Sequence, residues 1–243
     1  MIIYCKEALF SIALSFSSLL SAQNFEQGIV TLTFDDGYSC HYETVLPLLE
    51  KYGACATFYV TSSLLNQPGY LTSHQVIALS KKGHEIASHC STHRDLKKLS
   101  FKEVEVELLE SKRTLEKLIQ TPVLNFAPPF GAFNPTAMYS IKRHYQSSRT
   151  IMPGMNVRNL NPYLIQGYVV RNSTSLKELE EWIQKAITDR KWLVLVYHYI
   201  DDTESLISVS KRTFEKHLQL IQRLKIATAT IRDVLKSRSQ VSL

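Results

Sequence analysis

Short apolar runs alternate with longer amphipathic stretches along almost the whole chain, beginning at Gly28. The short runs are rich in β-branched and aromatic residues, which favours strands, and the longer stretches have helical spacing. The predicted strands are 29–34, 55–60, 85–88, 124–127, 149–152, 165–170, 192–199 and 227–231. The predicted helices are 42–52, 74–82, 101–120, 135–144, 176–190 and 213–224. This alternation predicts an α/β fold, and seven or eight parallel strands indicate a distorted (β/α)7-8 barrel.

Two of the predicted helices have clear start signals. Ser100 is a plausible N-cap for the helix over 101–120, and Glu103 completes a capping box with it. Asn134 is placed to cap the helix over 135–144, with Pro135 in its first turn. No linker is long or polar enough to divide the chain, so we expect one domain over residues 23–243.

The composition is that of an ordinary globular protein, with 44% hydrophobic and 21% charged residues in 243. The net charge of +6 favours contact with anionic surfaces. Lysine and arginine are scattered along helical stretches without a dense basic block, so we expect no nucleic-acid partner. Three cysteines follow residue 22, which is not a disulfide framework, and the absence of a CxxC pair argues against a thiolate zinc site.

The first 22 residues resemble a secretory signal peptide. Lys6 precedes an apolar run over 8–20, and the small residues Ser21 and Ala22 follow it. We therefore expect an exported protein, in the periplasm, the cell envelope or the medium. The run is short for a membrane span, which needs about 20 apolar residues, so no stable membrane span is expected. A buried N-terminal helix or an uncleaved anchor is the alternative.

Polar residues follow several predicted strands, and in a parallel barrel these strand ends form the active-site face. Asp35 and Asp36 follow the first strand within TFDDG, and His89 and His93 follow the third within SHCSTH. Histidines four apart on a helical turn can reach one metal ion, and a carboxylate from another strand would complete a site with open positions. One aspartate can bind the ion while its neighbour accepts a proton. Two surface histidines and a simple Asp-Gly turn remain the alternatives.

Two further segments lie at strand ends. The sequence PPFG over 128–131 follows the fourth predicted strand, and His198 lies within the apolar run VLVYHYI. A histidine in such a run is as easily a satisfied core residue as a functional one, although its position at a strand end favours function.

In this order, TFDDG, SHCSTH, PPFG and LVYH resemble the motifs of the NodB-type polysaccharide deacetylases, carbohydrate esterase family 4. The resemblance extends from about residue 29 to residue 235 and implies a NodB homology domain. It implies that Asp35 is the catalytic base and that Asp36, His89 and His93 hold a divalent metal ion. Zinc fits this ligand set, and cobalt or nickel could replace it.

The remaining motifs imply further roles. PPFG would line the substrate groove through Pro129, Phe130 and Gly131, with the backbone N–H of Phe130 donating to the oxyanion. His198 would be the general acid. Its apolar neighbour, Leu195 or Val196, would line the acetyl pocket.

The chain departs from the family pattern at Ala127, where many members have an arginine that orients the catalytic aspartate. Arg171, after the predicted strand over 165–170, could supply a guanidinium from a different strand. Cys90 stands where the family usually has serine or threonine, and Phe130 replaces a common tyrosine. Neither of these two changes removes a ligand or a backbone donor.

The resemblance implies metal-dependent hydrolysis of N-acetyl groups from a polysaccharide that contains N-acetylglucosamine, with release of acetate. Peptidoglycan, a chitin-like polymer and poly-N-acetylglucosamine are the expected substrates. A carbohydrate-binding pseudoenzyme on the same scaffold is one alternative, supported by Ala127. A hydrolase of small amides is the other.

Overall fold

A computed structural model describes residues 27–203 and 205–239. The predicted signal peptide over 1–22 lies outside these residues. Among the helices of the described part, none has the length and apolar character needed to cross a membrane.

The core of the fold is a curled sheet of parallel strands. The bounds are β1 Ile29–Phe34, β2 Ala56–Val60, β3 Glu85–Ser88, β4 Asn125–Phe126, β5 Ser147–Ser148, β6 Tyr168–Val169, β7 Trp192–Tyr197 and β10 Ala227–Thr228, with β8 Tyr199–Ile200 and β9 Ser208–Val209 as a separate pair. Seven strands of the sheet follow the order β5-β4-β3-β2-β1-β7-β6, and β10 pairs with the start of β1. A parallel bridge between Arg149 and Ile165 brings the two ends of the curled sheet together. The predicted α/β class and distorted barrel are confirmed.

Seven α-helices accompany the strands in the described residues. They are α1 Leu46–Tyr52, α2 Ser73–Lys81, α3 Phe101–Ile119, α4 Pro135–His144, α5 Leu176–Thr188, α6 Lys211–Arg223 and α7 Ile231–Ser239. Both hydrogen bonds of the capping box between Ser100 and Glu103 are present at the start of α3. The Asn134 side chain accepts from the Ala137 N–H at the start of α4. The predicted start signals are therefore confirmed.

The chain after β10 differs from the prediction. The expected strand over 227–231 stops at Thr228, and α7 begins at Ile231. Thr230 caps this helix locally, because its Oγ1 accepts from the Asp233 N–H at 3.1 Å. The two preceding N–H groups have distant partners: the Arg232 N–H donates to the buried Glu85 Oε2 at 2.8 Å, and the Ile231 N–H donates to Thr57 Oγ1 at 3.0 Å. Glu85 and Thr57 come from distant strands, so the local sequence does not show these two contacts.

The two faces of the sheet bury different residues. Val30, Leu32 and Phe34 of β1 pack in the large cluster under the helices, whereas Ile29 packs in the smaller cluster inside the barrel. Side chains alternate along a strand. Continuing this alternation past the end of β1 directs Asp35 towards the inside, at the carboxyl end of the barrel.

Candidate metal centre and catalytic site

Three predicted ligands meet at the carboxyl ends of β1 and β3. Asp36 Oδ1 lies 3.2 Å from His89 Nε2 and 2.8 Å from His93 Nε2. The ligand atoms of all three residues lie within 4.8 Å of one another. Asp36 Oδ1 is buried and accepts no hydrogen bond of good geometry within the described chain. A buried carboxylate oxygen that faces two imidazole nitrogens fits a divalent cation.

The surroundings of the ligands prepare them for a cation. His89 Nδ1 lies 2.7 Å from the Ala127 carbonyl oxygen. This contact requires the proton on Nδ1, which leaves Nε2 with its lone pair towards the site. Burial raises the pKa of Asp36, but the imidazoles of His89 and His93 outweigh burial and hold that pKa far below its usual range. Burial lowers the pKa of His89, and the Asp36 carboxylate reverses this to a net rise. A cation bound by Nε2 of His89 would compete with a proton for that nitrogen.

The two histidine ligands lie on a non-helical loop, which corrects the expected helical turn. Glu107 on α3 holds this loop. The Thr92 N–H donates to Glu107 Oε2 at 2.8 Å, and the Ser91 N–H donates to the Glu107 carbonyl at 3.1 Å. Sequence reasoning missed Glu107. The available signal was a glutamate beside Leu108 on the buried stripe of α3, which is mostly apolar.

Asp35 is paired with a buried arginine. Arg149 Nη2 donates to both carboxylate oxygens of Asp35, at 2.5 and 2.6 Å, and both side chains are almost completely buried. The Arg149 guanidinium also lies 4.9 Å from the centroid of the Tyr59 ring. The Asp35 carboxylate thus accepts charge-assisted hydrogen bonds from one nitrogen of the guanidinium, whereas Nε and Nη1 of Arg149 have no hydrogen-bond partner in the described residues.

Arg149, and not Arg171, therefore supplies the guanidinium that Ala127 lacks. Arg171 is exposed, and its backbone N–H donates to Thr174 Oγ1. Arg149 directly follows β5, and its backbone bridge to Ile165 brings it to the inside of the barrel. The residues after β6, which include Arg171, run to the surface. The sequence signal was the arginine at the start of the strand predicted over 149–152.

His198 lies on the other side of Asp35. Its Nε2 is 3.8 Å from Asp35 Oδ2, and its carbonyl oxygen lies 2.7 Å from Nε2 of the buried His41. Burial lowers the pKa of His198, and the carboxylates of Asp35 and Asp36 offset this only in part. A lowered pKa makes the protonated imidazole a stronger acid, which suits proton donation to a leaving group.

Leu195 faces away from the site. It packs in the cluster under the helices with Leu193 and Tyr197, whereas Val196 packs inside the barrel. Because side chains alternate along β7, Val196 shares the inner face with His198. The expectation that Leu195 lines the acetyl pocket is corrected, and Val196 is the neighbour on the correct face.

The PPFG segment forms a tight turn beside His93. The Phe130 ring is 64% exposed, and its centroid lies 4.8 Å from that of His93. The N–H groups of Gly131 and Ala132 donate to the carbonyl oxygens of Pro128 and Pro129, as residues of the turn. The Phe130 N–H is thus the candidate in this turn for donating a hydrogen bond to the oxyanion. A Cβ on Gly131 would lie 2.4 Å from Ile151 Cγ1, so glycine is required there.

Four non-glycine residues of the site have left-handed backbone conformations. The φ angles are 75° at Asp36, 65° at Cys90, 60° at His93 and 59° at Phe130. Such conformations are uncommon for non-glycine residues and cluster at functional sites, where surrounding contacts maintain them. The loops that carry the candidate ligands therefore hold their side chains in place through left-handed backbone conformations. These conformations cost free energy, which the surrounding contacts offset.

A profile of the family described as polysaccharide deacetylase matches residues 22–146, a span of 125 of the 243 residues. This chain belongs to the polysaccharide deacetylase family. It is 36% identical over 115 residues to the peptidoglycan-N-acetylglucosamine deacetylase of Bacillus cereus, covering 47% of this chain and 52% of that protein. The chain spans about half the length, or less, of the curated relatives that it matches.

Solved structures agree with this membership of the polysaccharide deacetylase family. The Xyl-CE4 domain of a multidomain xylanase, from the hindgut metagenome of Trinervitermes trinervoides, has a TM-score of 0.64 at 23% identity, covering 88% of this chain and 92% of that one. The Streptococcus pyogenes deacetylase PplD, solved with acetate, has a TM-score of 0.60 at 26% identity, covering 63% of this chain and 69% of that one. At 23% identity, the similarity to the Xyl-CE4 domain concerns the fold alone.

Proposed function

We propose that this chain hydrolyses N-acetyl groups of a polysaccharide that contains N-acetylglucosamine and releases acetate. One arrangement carries the proposal. The carboxylate of Asp35 lies between Arg149 and His198, directly beside the ligand set of Asp36, His89 and His93. A candidate base, a candidate acid and a candidate metal site thus share one position at the carboxyl end of the barrel.

The chemistry of each residue follows from its contacts. A divalent ion bound by Asp36, His89 and His93 would supply a Lewis acid for the acetyl carbonyl and for water. Asp35 accepts the proton of the attacking water, and Arg149 holds the Asp35 carboxylate in position. The Phe130 N–H donates to the oxyanion that develops on the acetyl group. His198 donates a proton to the departing amine.

The substrate proposal rests on chemistry and on relatives. The Bacillus cereus relative is named for peptidoglycan N-acetylglucosamine. The net charge of +6 suits an anionic cell-wall polymer. Peptidoglycan is therefore the first substrate to test, ahead of a chitin-like polymer and poly-N-acetylglucosamine.

The pseudoenzyme alternative loses its main support. It depended on the missing arginine at Ala127, and Arg149 now places a guanidinium on Asp35. The small-amide alternative is tested by comparing substrates of different size.

The deciding experiment measures acetate release from peptidoglycan, chitin oligomers, poly-N-acetylglucosamine, O-acetylated xylan and a small acetamide. The protein is first stripped of metal and then loaded with zinc, cobalt or nickel. We expect release from the N-acetylated glycans, with zinc supporting turnover, and none from an Asp35→Asn control. Bound metal and glycan binding without acetate release would instead support the pseudoenzyme.

We also propose that the protein is exported and that residues 1–22 are removed, leaving the catalytic domain over 23–243. The charge and apolar pattern of the first 22 residues supports this. N-terminal sequencing of protein recovered from the cell envelope or medium tests it. A retained Met1 would contradict cleavage.

A further inference from the structure

Three tyrosines lie next to the catalytic residues and form one group, the tyrosine stack of Tyr38, Tyr70 and Tyr199. The Tyr38 ring lies 3.7 Å from Tyr199 and 5.4 Å from Tyr70, measured between centroids. The interplanar angles are 21° and 29°, so the rings are stacked in both pairs. All three side chains are partly exposed. The chemistry proposed above does not use them.

The stack is attached to the catalytic segments. Tyr38 follows Asp36 by two residues, and Tyr199 follows His198 directly. The His198 carbonyl is held by His41 Nε2 at 2.7 Å, on the π-helical turn that follows Tyr38. The positions of two rings are therefore tied to the positions of a metal ligand and the candidate acid.

Backbone pairing holds the third ring. The Ser39 N–H donates to the Gly69 carbonyl at 2.9 Å, and the Leu71 N–H donates to the Gly37 carbonyl at 2.8 Å. These bonds flank an antiparallel bridge between Tyr38 and Tyr70. Since backbone bonds maintain the stack, its rings lose little freedom when a ligand binds.

The chemistry of the stack suits a carbohydrate. One face of a β-linked pyranose ring presents C–H groups, whereas its rim carries hydroxyl groups. A tyrosine offers an apolar ring face and a polar hydroxyl on the same side chain. The exposed Phe130 borders the site separately, through its contact with His93. Aromatic rings thus border the site beside both the ligand loop and the acid.

We propose that the tyrosine stack is a sugar-binding subsite that takes a pyranose unit adjacent to the acetylated one, with Tyr70 as its outer ring. This inference rests on the proposed function. It makes the preferred substrate an oligosaccharide or polymer, because the stack would contact a sugar unit beyond the acetylated one.

The test compares two substrates in three variants. The substrates are the tetramer of N-acetylglucosamine and 4-nitrophenyl acetate, which has no sugar. For Tyr70→Ala, the ratio of the two kcat/KM values should fall about tenfold, through a higher KM for the tetramer. Tyr70→Phe should keep the ratio within about twofold, because the ring remains. The matched control is Tyr139→Ala, an exposed tyrosine on α4, which should leave the ratio unchanged.

An unchanged ratio in a folded Tyr70→Ala protein would overturn the subsite. Equal loss in Tyr70→Phe and Tyr70→Ala would also overturn it, since stacking would then not be the cause. Failure of the proposed function is a separate result, in which the wild-type protein releases no acetate from the tetramer. Binding of the tetramer, followed by intrinsic fluorescence, then decides: weaker binding by Tyr70→Ala supports the subsite, and equal binding overturns it.

Discussion

Replacing Arg149 with alanine removes the guanidinium that pairs with Asp35, and the consequences can be worked out from the contacts. The Asp35 side chain is 3% exposed, and Arg149 Nη2 reaches both of its oxygens. Removing one partner of a buried ion pair costs about 3–5 kcal/mol, because the other charge stays buried and uncompensated. A domain stabilised by about 5–15 kcal/mol should remain folded, with a clearly lower urea midpoint.

Turnover should fall as well. Without the guanidinium, the Asp35 carboxylate is free to rotate, so it is no longer held in position as a base. We expect kcat for acetate release to fall about 100-fold, within the range of roughly 10²–10⁴ for general-base catalysis. Arg149→Lys keeps the charge but loses the planar guanidinium that lies 4.9 Å from the Tyr59 ring centroid, and it should recover part of the stability and less of the turnover.

The matched control is Arg171→Ala, which removes an exposed arginine and should change the free energy of unfolding by less than about 0.5 kcal/mol. The double variant of Asp35→Asn with Arg149→Ala should cost less stability than the sum of its single changes, because both single changes break one interaction. The reasoning fails if Arg149→Ala unfolds with the urea midpoint of the wild type, or if its kcat stays within about twofold.

Three further expectations follow from other contacts. Asp36→Ala should abolish metal binding, measured by elemental analysis, together with acetate release; a variant that retains stoichiometric metal would refute the ligand assignment. Burial lowers the pKa of His217 to about 4, so folding disfavours a proton that the unfolded chain binds below about pH 6.5. The free energy of unfolding should therefore fall as the pH drops from 7 towards 4, by about 2 kcal/mol at pH 5 from this residue; urea unfolding of His217→Gln should show a correspondingly flatter pH dependence, and equal slopes would contradict this. Gly131→Ala should lower kcat, because its Cβ would meet Ile151 and the residue has a φ of +62°; the double variant with Ile151→Ala should recover part of the activity, and full activity in Gly131→Ala alone would count against the role of the turn.

The order of the elements and the candidate metal ligands were predictable because both depend on short-range patterns. Alternating apolar runs report which strand faces are buried, and Asp36 and His89 follow such runs directly. The capping box at Ser100 was predictable for the same reason, since all of its atoms lie within one turn of helix. In contrast, the first two N–H groups of α7 donate to Thr57 and Glu85, which come from distant strands.

Sequence patterns predicted the parallel α/β class and placed the two aspartates, the candidate histidine ligands and His198 at strand ends. Which arginine pairs with Asp35 depends on the tertiary structure. The partners are 114 positions apart, and curling of the sheet brings the end of β5 to the inside of the barrel. The tertiary structure also shows that Val196, and not Leu195, shares the inner face with His198. Because β7 is buried on both faces, its apolar sequence does not indicate which side chains point to the inside. Local patterns specify which groups are present, whereas sheet curvature and strand phase decide which of them meet.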